Sequence, residues 1–395
     1  MRARRTPGAV RGRQSSACGT HLGRRSRNGY SPRPLAVVAR IPILALGIIA
    51  LLSALAAGVL RIGWELPLVP PLLVVVHGPL MVSGFLGTVI GLERAASLGM
   101  SWAYAAPIAT GLGALALVID PAMDAGRWLV VAGSFGLLGV FGFLLYRTRE
   151  PYMLTMTLGA CGWVVGNLLW LADWQIHRLV VWWAVFLVLT IAGERQELTR
   201  LLPLTSRART AFQIVVATIL GGAVVTLRTP DVGTRVVGLG FGALAAWLGR
   251  HDMARRTVDR RGLPRFMAVC LLSGYGWLGI AGVLALCFGI PPAPLQYDAV
   301  LHALFLGFVF AMIFGHAPVI FPAILGVVIP FRLRFYIHLI ALHATVAIRI
   351  VGDLAPAPAL RLWGGLLNAL VLVAFLASTA SAARLPPAPV PATSD

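Results

Sequence analysis

Eight histidines carry most of the chemistry this chain could perform, because imidazole binds iron, copper and protons near neutral pH. Three are poor candidates. His21 lies in an arginine-rich N-terminal stretch, and His177 and His251 lie at loop edges, where solvated side chains are the expectation. The other five, His77, His302, His316, His338 and His343, sit inside long apolar runs. A ligating side chain inside a bilayer is costly, so each of the five is a functional candidate. His77 lies about seven residues into the run 70–92, and His302 about four into the run 298–320. At ~1.5 Å of rise per residue, both imidazoles fall ~6–11 Å below one membrane surface if both runs enter from the same side. Two imidazoles at one depth on separate helices are what a bis-histidine haem requires.

His316 follows His302 by fourteen residues, which on an ideal helix is ~21 Å deeper and about 40° round. It should face the same interior, nearer the opposite surface. His338 falls at that opposite edge, and His343 roughly 8 Å further in. His316 with one of these two could form a second site, for copper or for a second haem, since imidazole suits either metal. His338 and His343 are about 140° apart on a helix, so both are not expected to reach one ion. The competing reading has His316 satisfying backbone groups freed by Pro318 and Pro322.

The elements that hold these residues follow from composition. Of 395 residues, 58% are hydrophobic and 12% charged, against roughly 25% charged in soluble domains. Runs of spanning length, about 20 apolar residues, occur near 41–60, 70–92, 102–119, 127–146, 152–172, 179–193, 211–227, 235–249, 266–289, 298–320, 336–352 and 361–381. The expected fold is all-α: one polytopic membrane bundle of about twelve transmembrane helices over 41–383. Residues 1–40 read as a disordered basic tail, and the Pro-rich stretch 384–395 as a second disordered tail.

The formal charge of +19 suggests a nucleic-acid partner, but its distribution does not. All of it is arginine, ten of them before position 41, and most of the rest alternates between loops. Arginines cluster after the second, fourth, sixth, eighth and tenth runs (Arg94, Arg147, Arg195, Arg255 and Arg332 among them) and thin out in the loops between. The positive-inside rule then places both termini in the cytoplasm of a bacterial inner membrane, with even-numbered helices running from outside to inside. The first forty residues lack an apolar signal core; they hold the N-terminus in the cytoplasm or are an over-extended start. Cys18, Cys161, Cys270 and Cys287 show no ligand spacing and read as small apolar fillers. Glycines at 84, 87 and 91, at 136, 139 and 142, and at 238, 240 and 242 permit close helix approach.

Two segments resemble a known family. His77-Gly78-Pro79-Leu80-Met81 resembles the HGxxM stretch on the second helix of haem–copper oxidase subunit I. The stretch from His302 through Gly307-Phe308-Val309-Phe310 to Phe321-Pro322 resembles that subunit's tenth helix. The resemblance implies that His77 and His302 are the axial ligands of one low-spin haem b in an oxidase-like helix arrangement. The departures are specific. Val300 stands where the oxidases carry their high-spin haem ligand, and the sixth and seventh runs lack copper-binding histidines at their cores. A complete oxygen- or nitric-oxide-reducing centre is therefore not expected. Size and late histidines are more similar to the NnrS-type haem and copper proteins linked to nitric-oxide stress. That resemblance implies electron transfer or nitric-oxide handling, with a respiratory redox partner.

Arg61, Arg127 and Arg228 are candidates to pair haem propionates. Glu93-Arg94 and Glu194-Arg195 close two helices in parallel fashion, which suggests internal repetition or local ion pairs, with proton uptake a further role for Glu93. Two other functions compete. A secondary transporter also commonly has twelve helices and cytoplasmic termini, although clear midplane charges are missing here. A structural or assembly subunit of a respiratory complex would need no metal at all.

Overall fold

Long apolar sequence in a medium without water must satisfy its own backbone, and the α-helix does so within one segment. The computed structural model describes residues 37–200, 202, 204–289 and 294–383. Among the described residues there is no strand, and twelve helices are long and apolar enough to cross a membrane. They are α1 Val37–Arg61, α2 Pro71–Leu98, α3 Ser101–Ile119, α4 Asp124–Thr148, α5 Pro151–Leu171, α6 Ile176–Thr199, α7 Ser206–Val225, α8 Pro230–His251, α9 Leu263–Phe288, α10 Leu295–Leu325, α11 Phe335–Leu354 and α12 Pro358–Ala383. The chain is a multi-pass, all-α membrane protein. The expected tails lie outside the described residues, as do Cys18 and His21, except that α1 already begins at Val37.

Each expected run is a helix, but several continue past it. The run 179–193 becomes Ile176–Thr199, and 70–92 becomes Pro71–Leu98. The added turns carry the charges taken as terminators. Arg94 on α2 pairs with Glu93 beside it and with Glu194 on α6. The two Glu-Arg pairs therefore meet each other, and the ion pairs extend both helices beyond their apolar cores.

Among the described residues two helices contain a π stretch, and they are the two that carry His77 and His302. In α2 the first turns, Pro71–Val76, are 3-10, and Leu80–Gly87 is a π-helix. In α10 the π-helix Ala303–Val309 begins directly after His302. A π stretch bonds i to i+5 and shifts the angular register of everything beyond it. These helices are neighbours: Phe85 of α2 stacks on Phe310 of α10 with centroids 6.0 Å apart. Gly84 presses on Ala50 and Ala114, Gly87 on Trp163 and Gly91 on Pro107, which seats α2 against α1, α3 and α5. Gly238 and Gly240 are similarly enclosed, whereas Gly139, Gly142 and Gly242 have open space. Large apolar side chains such as Leu239, Val283, Ile337 and Leu370 point outward, as a lipid-facing surface requires.

Candidate functional site

Between α1, α2, α6, α10, α11 and α12 lies a cavity of ≈ 360 Å³. Its wall is largely apolar, including Leu55, Val82, Leu306, Phe310 and Leu372, and both His77 and His302 face it. That volume is within the range of cofactor-holding clefts, ~300–1,000 Å³. Sequence depth alone does not say whether these two histidines share a space. The packing of α2 on α10 brings them to one wall.

Each ring is held by a single nitrogen. His77 Nδ1–H donates to the Ala54 carbonyl of α1 at 2.7 Å. His302 Nδ1–H donates to the Asp298 carbonyl one turn earlier on α10 at 2.6 Å. A carbonyl only accepts, so in both rings the proton sits on Nδ1 and the lone pair on Nε2. Neither Nε2 has a protein partner among the described residues. A carbonyl on Nδ1 fixes both the tautomer and the aim of each ring. Gly58 supports it: a Cβ there would come within 2.8 Å of His77 Cε1. The glycine forms a notch in α1 that admits the imidazole.

One end of the cavity is charged. The Asp298 carboxylate receives Arg61 and Arg349 at 3.4 Å each and Arg361 at 3.5 Å. Asp353 receives Arg349 at 3.0 Å and Arg361 at 3.2 Å. Asp298, Arg349 and Asp353 are all buried. Three guanidinium groups against two carboxylates leave an excess positive charge beside His302. Of the three arginines expected to serve a propionate, Arg61 alone lines this cavity. Arg127 pairs instead with Asp173 at 2.6 Å, beside a smaller hollow of ≈ 190 Å³. No contact ties Arg228's side chain to the cavity. His177, read as a solvated loop residue, is exposed but stands at the cavity wall.

The remaining three histidines occupy three separate environments. His316 Nδ1–H donates to the Met312 carbonyl at 2.7 Å, not to a carbonyl freed by either proline. Its Nε2 accepts from Arg195 of α6 at 3.4 Å, and Arg195 in turn grips Asp252 at 2.8 and 3.0 Å. His316 thus faces α6, the helix that also lines the cavity, but meets it well beyond the cavity, as its position fourteen residues after His302 implies. His338 is boxed by Phe314, Phe335 and Phe375, with ring centroids 5.3–5.5 Å away. His343 accepts from Trp277 Nε1–H at 2.9 Å, and its Nε2–H donates to Ser273 at 2.8 Å. Among the described residues no three His, Cys, Asp or Glu side chains converge as a metal site would need.

Sequence reasoning missed Asp298, Arg349, Asp353 and Gly58. A signal for the first three was present: Asp298 opens the run 298–320, and Arg349 and Asp353 stand at the end of 336–352, where ionisable residues tend to pair. Arg349 and Asp353 are four apart on α11, the spacing of a helical ion pair. Gly58 had none, since its meaning depends on α2 lying across it.

One family model matches residues 40–384; its description is a domain of unknown function, DUF8744. No curated protein and no solved structure matches the chain.

Proposed function

The chain belongs to the DUF8744 family, and on the chemistry of its own residues we propose that it binds one haem b between His77 and His302. The observation that carries this reading is the pair of cavity-lining imidazoles whose Nδ1 protons are tied to backbone carbonyls, with both Nε2 atoms free. The surroundings suit that cofactor in two further ways. The wall is apolar where a macrocycle would lie, and the arginines beside Asp298 match the carboxylates such a cofactor carries at one edge. The resemblance of both segments to oxidase ligand helices favours the same assignment.

With His77 and His302 as its two ligands, a bound haem would supply electron transfer rather than gas binding. The function proposed is therefore electron transfer in the bacterial inner membrane, in respiration or in the response to nitric oxide, with a respiratory redox partner. The arginine distribution supports cytoplasmic termini, which would put the cavity in the outer leaflet. What this chain's residues do is specific. His77 and His302 supply the lone pairs, Ala54 and Asp298 orient the rings, and the apolar wall keeps water from the iron.

The test is a reduced-minus-oxidised optical spectrum of detergent-purified protein beside His77→Ala and His302→Ala. Sharp low-spin b-type bands in the parent, absent from both variants, are expected. Well-folded parent protein without haem, from cells grown with ample haem, would sink the proposal and leave the cavity to a transporter's solute.

A further inference from the structure

Asn368 lies on α12 and is only 4% exposed, yet its side chain borders the cavity. Its Oδ1 accepts from the Thr345 hydroxyl of α11 at 2.7 Å. Its Nδ2 has no hydrogen-bond partner. An unpaired amide donor is among the more costly groups to keep inside a membrane helix, where no lipid atom can accept from it. Leucine has the same branched shape and would fill the wall without that cost. An acceptor on a molecule bound in the cavity would satisfy that nitrogen.

The neighbours say what kind of acceptor. Thr345, which orients the amide, is one helical turn before Arg349 on α11. Gly365, one turn before Asn368 on α12, is pressed against the Arg349 guanidinium. The amide therefore sits about one turn, ~5–6 Å along the helices, from a buried cation that also borders the cavity. On α10, Tyr297 also lines the cavity, and its buried hydroxyl has no partner either. A cation, an amide N–H and a phenol grouped on one side of an apolar cavity form a donor set for a carboxylate.

We propose that Asn368 Nδ2, assisted by the Tyr297 hydroxyl, donates hydrogen bonds to a carboxylate of the cavity's ligand. This makes Asn368 a binding residue that selects carboxylate-bearing ligands. The inference rests on the haem reading, in which that carboxylate is a propionate.

The experiment is titration of haem-free protein in detergent with haem b and with its dimethyl ester, which keeps the iron and ring but lacks the carboxylates. The parent binds haem b more tightly than the ester. Asn368→Leu reduces that preference roughly tenfold, as loss of a hydrogen bond to a charged group implies, while ester binding stays at the parent's level. Asn368→Asp, which replaces the donor by a negative charge, disfavours haem b further. Tyr297→Phe, which removes a single hydroxyl, gives a smaller loss of the same preference and serves if the α12 variants do not fold. An unchanged haem-to-ester preference in Asn368→Leu, or in Tyr297→Phe should that alone fold, overturns the inference while His77-dependent binding of both compounds keeps the haem reading intact. Failure of the parent to bind either compound removes the haem reading, and the propionate assignment falls with it.

Discussion

The two ends of the α2–α10 pair are built from the same kinds of residues and differ in what those residues enclose. At one end His77 and His302 stand beside Asp298, Arg349, Asp353 and Arg361; at the other His316 stands beside Arg94, Glu194, Arg195 and Asp252. Both ends bury arginine–carboxylate pairs, and at both ends histidine Nδ1 is bonded to a backbone carbonyl. At the His316 end the second ring nitrogen meets a guanidinium, and Arg195 clamps Asp252 through two nitrogens. At the His77 end the second nitrogens meet a cavity. Depth in the membrane and histidine content do not separate a ligand site from a structural clamp. What the free nitrogen faces does.

The largest contrast is all-or-none. His77→Ala and His302→Ala are expected to abolish haem incorporation, whereas His316→Ala leaves the optical spectrum as in the parent. Haem loss in His316→Ala at unchanged stability would place the cofactor at the wrong end. Next is the clamp itself. Arg195→Ala strands the buried Asp252 carboxylate and should cost about 3–5 kcal/mol of stability, read by thermal unfolding in detergent. Replacing both partners, Arg195→Met with Asp252→Leu, should restore most of it, because an apolar pair carries no desolvation cost. A double variant as unstable as Arg195→Ala would mean that this end does more than hold helices.

Gly58→Ala tests the notch. The added Cβ collides with the His77 ring, so about 1–3 kcal/mol of overpacking is expected, together with weakened haem retention. Gly139→Ala, inside α4 where a Cβ meets nothing, is the control and should stabilise by about 0.5–1 kcal/mol with the spectrum unchanged. The smallest effect belongs to Arg127→Gln. Its partner Asp173 is 81% exposed, so the pair contributes about 0.2–1 kcal/mol and nothing to the spectrum.

The bundle was legible because hydropathy is a local property: all twelve expected runs became helices. Their ends were less legible, since Glu93-Arg94 and Glu194-Arg195 look like terminators until α2 and α6 are seen to lie side by side. The level of His77 with His302 was also legible, because helical rise converts position into depth. The partner of His316 was not, because Arg195 comes from a separate helix and reads in the sequence as a loop charge. Asp298 and Arg349 were visible as charges but not as partners, since they come from separate helices. Asn368 resembled an ordinary polar residue in a helix until its buried nitrogen was seen to lack a partner.

The cavity wall also has a history during synthesis. It includes Leu55 and Gly58 of the first helix and Asn368 and Leu372 of the last. At ~5–20 residues per second, His77 is made on the order of tens of seconds before His302, and the α12 side of the wall later still. No chain that stops short of α12 completes this wall, so a ligand that needs all of it would enter only after α12 is made.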